Sequence, residues 1–148
     1  MRTILSPYLS FRDNAAEAMR FYQSVFGGNL TLKSFEIFHS GNDGLLEQSK
    51  TIHSVLVTDS GLVLMASDTP SAMEYVPGTN HSISLSCECN RELRTYWRKL
   101  SKSGRVVVPL ATSPDTGTFG TCIDRFGIVW LLGIQMTGHG ADQTPANP

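Results

Sequence analysis

The apolar residues of this chain switch repeatedly between alternating and helical spacing. Thr3 to Phe11 is rich in β-compatible residues, and Pro7 inside it marks an edge or a strand start. After a turn at Arg12-Asp13, Asn14 stands as an N-cap with Glu17 three positions on, and Ala15, Ala18, Met19, Tyr22 and Phe26 recur at helical spacing. Gly27-Gly28 ends that helix. From Asn29 to Phe38, Leu30 and Leu32 alternate with Thr31 and Lys33, then Phe35 and Ile37 flank Glu36, which predicts a half-buried strand. His39 to Lys50 reads as a loop with a helical turn around Leu45-Leu46.

Two apolar runs follow on either side of Asp59-Ser60-Gly61, the turn chemistry of a β-hairpin. A loop with prolines at both ends, Thr69 to Asn80, is long enough to act as a flap. His81 to Cys89 then alternates as a strand. Asn90 caps a helix with Leu93, Tyr96, Trp97 and Leu100 on one face, and Gly104 ends it. Arg105 to Leu110 is a strand, Ala111 to Thr118 a loop, and Phe119 to Ile134 a second hairpin turning at Asp124. From Gln135 to Pro148 there is no periodicity, which predicts a loosely ordered tail.

The order is strand, helix, strand, hairpin, and then the same again, so the chain carries an internal repeat. Leu9 and Gly28 correspond to Leu85 and Gly104, each 76 positions on, and the two hairpins correspond as well. The expected class is α+β: two βαβββ modules in tandem, 1–68 and 79–134, forming one domain over 1–134. Each sheet has one helix on its outer face, and the uncovered faces would curve round a central cleft.

At 148 residues the chain can bury a core without staples. Its formal charge of -1, from 12 basic and 13 acidic side chains with no run of one sign, points away from nucleic acid and acidic membranes. A small, roughly neutral ligand or another protein is the expected partner. No segment has the length to span a bilayer, and the amino terminus has no apolar stretch of signal-peptide length, so a cytoplasmic protein is expected. Cys87, Cys89 and Cys122 read as small buried hydrophobes rather than a disulfide or zinc framework.

Pro7 to Phe11 leading into Ala18 to Gly28, with Asp124 to Trp130 closing the second half, resembles the PhnB-like branch of the vicinal oxygen chelate superfamily, over roughly Thr3 to Ile134. That superfamily also holds glyoxalase I, ring-cleaving dioxygenases and bleomycin-resistance proteins. The resemblance implies paired βαβββ modules round a cleft, commonly in a homodimer. Its metal-dependent members place ligands in the first and last strand of each module, and those places fall here on Ser6, Met65, Ser82 and Leu131. None is a usual divalent-metal ligand, so neither metal nor cofactor is expected. A one-residue slip would bring in His81, which strand alternation turns to the opposite face. Other PhnB-like sequences usually carry a tryptophan ahead of the last hairpin, where this chain offers Phe119.

Strand parity then selects the cleft-facing residues. Tyr8 and Ser10 share the parity of Ser6, Met65 and Ser67 extend that face, and Ser82, Ser84 and Ser86 alternate with apolar neighbours. Alternation puts Trp130 and Leu131 on opposite faces, and the resemblance implies that Leu131 faces the cleft while Trp130 packs beneath the helix. The expected ligand-binding set is Tyr8, Ser10, Met65, Ser67, Ser82, Ser84, Phe119 and Leu131. A small molecule held without metal, in a homodimer, is the leading expectation. The alternative is a metal-dependent lyase, isomerase or dioxygenase whose rearranged ligand set includes His81 with Glu36 or His53. Drug sequestration would need an acidic groove, and the cleft face has few acids. Methyl transfer, a label some members carry, lacks the glycine-rich strand-to-helix turn of a nucleoside site.

Overall fold

A computed structural model describes residues 3–34 and 50–134. The chain divides into two compact units, Met1–His81 and Ser82–Pro148. In the first unit the elements are β1 (Tyr8–Phe11), α1 (Ala15–Phe26), β2 (Asn29–Ser34), β3 (Thr51–Val57) and β4 (Val63–Asp68). Their sheet has the order β1-β4-β3-β2, with β1 parallel to β4 and the other pairs antiparallel. The second unit repeats the plan with β5 (Ile83–Cys87), α2 (Asn90–Ser101), β6 (Arg105–Ser113), β7 (Gly117–Ile123) and β8 (Val129–Ile134). Its order is β5-β8-β7-β6, again with the outer pair parallel. These are the two βαβββ modules that the periodicity predicts.

Each helix seals one sheet face. The apolar stripe of α1 (Ala15, Ala18, Met19, Tyr22, Val25, Phe26) is buried, and so are Leu9, Phe11, Leu56, Leu64 and Ala66 of the sheet. Burying a large apolar side chain of this kind contributes about 1.5–3 kcal/mol, so this stripe anchors the unit. In the second unit Leu93 and Leu100 of α2 are buried with Cys87, Cys122, Trp130 and Leu132. Gly120 lets the helix settle, because a Cβ there would meet the Trp97 ring at 2.8 Å and Leu110 Cα at 2.9 Å.

The repeat extends to single contacts. A Cβ on Gly28 would stand 2.0 Å from the Val57 carbonyl oxygen and 2.5 Å from Thr58 Cα. On Gly104 it would stand 2.0 Å from the Ile123 carbonyl oxygen and 2.8 Å from Asp124 Cα. In both units the strand after the helix thus presses its backbone onto the start of the last hairpin turn. Those turns also match: Thr58 N–H donates to Leu62 O at 2.9 Å as Asp124 N–H donates to Ile128 O at 2.9 Å, and Gly61 and Gly127 share φ near 82° and 85°. Asp124 therefore aligns with Thr58, and Asp59 with Arg125.

Several sequence expectations need correction. Asn14 makes no side-chain cap; the buried Asp68 carboxylate caps α1 instead, accepting from Ala15 N–H at 2.9 Å and Thr51 N–H at 2.8 Å. A residue distant in sequence reaches the helix end because β4 terminates there. Asn90 is the first residue of α2, and Cys89 holds the cap position. β1 begins only at Tyr8, so Ser6 precedes it, and β5 begins at Ile83, just after Ser82. β6 runs to Ser113 and β7 starts at Gly117, so most of the expected loop is strand. Pro109 does not end β6 because the ladder is already shifted between Val108 and Ala111, where a missing N–H costs little. Phe35 to Phe38, the loop from His39 and the tail from Gln135 lie outside the described residues.

Candidate functional site

The face of the first sheet that α1 does not cover is built from β1, β4, β3 and β2 in turn. Tyr8 pairs with Met65, Met65 with Val55 and Val55 with Thr31, which makes one row across the sheet. Ser10 pairs with Ser67, and on the far strands His53 pairs with Lys33. Since Ser54 pairs with Ala66, the next step of the ladder brings Ser67 toward His53. The face is therefore graded. One end has Val63 opposite Val57, with Asn29 next to it on the edge strand; the other carries Ser10, Ser67, His53 and Lys33.

Tyr8 spans this gradient. Its ring is half exposed and stacks on His53, with centroids 5.9 Å apart and planes 25° from parallel. The phenol oxygen lies 3.4 Å from His53 Nδ1, at the long end for a hydrogen bond, so both groups keep capacity for another partner. The sequence reading placed Tyr8, Ser10, Met65 and Ser67 on one face, and the strands bring all four together. It left His53 and Lys33 out of the main set. The reason is visible in β3, where polar Ser54 is buried, donating from its hydroxyl to the Ala66 carbonyl at 2.7 Å, while Val55 and Val57 take the open face. Polarity there runs opposite to burial, so alternation does not single out His53; Lys33, by contrast, showed its parity against Leu32.

On the second sheet the open face carries Ser84 beside Leu131 beside Thr121, and Ser86 beside Gly133 beside Phe119. Ser84 and Ser86 are exposed, and Phe119 is 42 % exposed on β7. Gly133 leaves space for that ring, since a Cβ there would lie 3.7 Å from Phe119 Cδ2 and 3.3 Å from the Thr118 carbonyl oxygen. Phe119 thus lies within β7, on the open face of that strand. Ser82 is exposed ahead of the strand.

Trp130 lies on the helix side, 2 % exposed, and its indole N–H donates to Asp124 Oδ2 at 2.8 Å. Asp124 Oδ1 accepts from Phe126 and Ile128 N–H at 2.8 and 3.1 Å, which fixes the turn. The apolar run after Asp124 is thus a half-sealed strand: Trp130 and Leu132 are core, and Leu131 is on the open face. All three cysteines are free thiols. Burial, with Glu92 and Cys89 nearby, pushes Cys87 up to about 11, and burial beside Asp124 does the same for Cys122. Both are unreactive at neutral pH.

The superfamily's divalent metal does not fit these residues. Met65 and Leu131 offer no hard donor, and Ser6 and Ser82 lie outside the strands. Among the described residues no three His, Cys, Asp or Glu side chains gather into a metal-binding group. His81 is exposed with Nδ1 3.3 Å from Asn80 Oδ1, His53 faces Tyr8, and Glu36 lies outside the described residues. No helix among the described residues is long and apolar enough to cross a membrane.

A family model described as 3-demethylubiquinone-9 3-methyltransferase matches residues 3–133. Protein YjdN of Escherichia coli K12 is 28% identical over 140 residues, covering 88% of this chain and 94% of its own. Protein PA1353 from Pseudomonas aeruginosa is 30% identical, with a TM-score of 0.78 over 90% of this chain and 98% of its own. A Bacillus cereus PhnB protein, described as a putative 3-demethylubiquinone-9 3-methyltransferase, shares 24% identity and a TM-score of 0.70, covering 89% and 99%. Glyoxylase/bleomycin-resistance/dioxygenase and fosfomycin-resistance proteins share the fold at identities of 17% and 10%, both with TM-scores of 0.58.

Proposed function

This chain belongs to the 3-demethylubiquinone-9 3-methyltransferase family, the PhnB-like branch of the vicinal oxygen chelate superfamily, and from that membership we propose that it binds a small molecule on its open sheet faces without a divalent metal. The observation that carries this reading is the contrast between the two faces of each sheet. One is sealed by a helix, while the other presents a half-exposed ring among hydroxyls and aliphatic side chains, Tyr8 on the first and Phe119 on the second. Such mixed surfaces, apolar with a few directed polar groups, are what small ligands use.

The protein works as a homodimer in the cytoplasm in this proposal. Val106, Val107 and Val108 on the edge strand β6 are each nearly half exposed, which suits burial against a second copy, and three free thiols suit a reducing compartment. Methyl transfer, which the family description names, is not part of it. The strand-to-helix connections Arg12–Asn14 and Glu88–Cys89 carry no glycine, so neither offers a nucleoside cofactor the close backbone approach it uses at such turns.

Native mass spectrometry of the gently purified protein tests the proposal. The expected species is a dimer that retains an organic adduct and no metal. A protein that carries one divalent ion per subunit and no organic mass overturns it.

A further inference from the structure

Charge is distributed unevenly over the first sheet. Among the described strand residues of that sheet the sole carboxylate is Asp68, which is buried on the helix side and engaged by the Ala15 and Thr51 N–H groups. Among the described strand residues the open face carries no acid. It does carry Lys33, directly across the ladder from His53, with their Cβ atoms about 5 Å apart by strand geometry. His53 meets the Tyr8 hydroxyl at 3.4 Å, and the paired hydroxyls of Ser10 and Ser67 lie on the same side. Cation, imidazole, phenol and two serines thus share one end, while Met65, Val55, Val57 and Val63 form the middle of the other, with Thr31 and Asn29 beside them on the edge strand.

From this asymmetry we infer that the open face of the first sheet selects a small organic oxyanion, a carboxylate or a phosphoryl group on an apolar body. The inference rests on the small-molecule reading above and adds the ligand's chemical class. The oxyanion lies at the Lys33–His53 end and accepts hydrogen bonds from the lysine, the phenol and the Ser67 hydroxyl. A long Tyr8–His53 contact is readily exchanged for one to a charged acceptor, which makes the stronger bond. The body of the ligand lies over Met65, Val55 and Val63, beside the tyrosine ring.

The test is titration of the full-length protein with benzoate, phenyl phosphate, benzamide and benzylammonium, followed by amide and imidazole NMR shifts. Both anions should shift Tyr8, Lys33 and His53 saturably, and neither benzamide nor benzylammonium should do so. Lys33→Gln should weaken benzoate about threefold at low salt, the size expected for an exposed pair, and Tyr8→Phe should weaken it further. Both substitutions are on exposed groups, so the fold is kept. If benzamide shifts the same residues as strongly as benzoate, or Lys33→Gln changes nothing, selection of an anion is overturned while the small-molecule reading stands. If none of the probes shifts this face, the inference fails, and the native mass spectrum alone then decides the broader reading.

Discussion

The Trp130 indole N–H and the Asp124 carboxylate meet at 2.8 Å across the last hairpin turn, both of them buried. One carboxylate thereby serves two backbone N–H groups and an indole that would otherwise lie unpaired in the core. Asp124→Ala should destabilise the protein by about 3 kcal/mol, read as a fall in the urea midpoint, because three donors lose their acceptor at once. Trp130→Phe removes a single donor and should cost less than that. Equal losses would show that the indole bond, rather than the turn, dominates.

Gly28 and Gly104 make the matching close approaches of the two units. Alanine at either place would drive Cβ to 2.0 Å from a backbone carbonyl oxygen, which no rotamer can relieve. Each substitution should cost more than about 3 kcal/mol or abolish soluble expression. Gly127→Ala has open space around its Cβ but φ of 85°, so its cost should be about 1 kcal/mol. Thermal unfolding of the three variants should rank them in that order.

The end of α1 gives a discriminating pair. Asp68→Ala should cost about 2 kcal/mol or more, since the buried Ala15 and Thr51 N–H groups lose their acceptor, whereas Asn14→Ala should lie within about 0.5 kcal/mol of the parent. Denaturant titration would contradict this assignment if the two variants lost equal stability.

The thiols predict an alkaline limit. Folding raises Cys87 and Cys122 from 9.0 to about 11. Between those values the unfolded chain has shed protons that the native chain retains, so unfolding is favoured as pH rises through the window and is unaffected by these groups below it. Stability measured by urea should therefore decline from about pH 9 upward, less steeply in Cys122→Ala. Iodoacetamide at about pH 8 should label the exposed Cys89 well before either buried thiol.

The first face of the candidate site was legible in part. Tyr8 and Met65 are 57 positions apart, yet alternation in each strand puts them on one side, and parallel pairing sets them side by side. His53 was obscured because Ser54, a polar residue, turns inward and finds the Ala66 carbonyl. The stretch Ala111 to Thr118 reads as a loop from its Ser, Pro, Asp and Gly residues, whereas β6 runs on to Ser113 and β7 already begins at Gly117.

Periodicity by itself determined the two βαβββ modules, the buried stripe of α1 and the opposite facing of Trp130 and Leu131, because each depends only on side-chain spacing along one element. The tertiary structure alone decided that Asp68 caps a helix more than 50 residues upstream, that Asp124 matches Thr58 in the repeat, and that Tyr8 stacks on His53 with Lys33 beside it. Those relationships arise from register between strands and from where one element ends against another. Register is set by packing across the whole sheet, and no local stretch of sequence contains it.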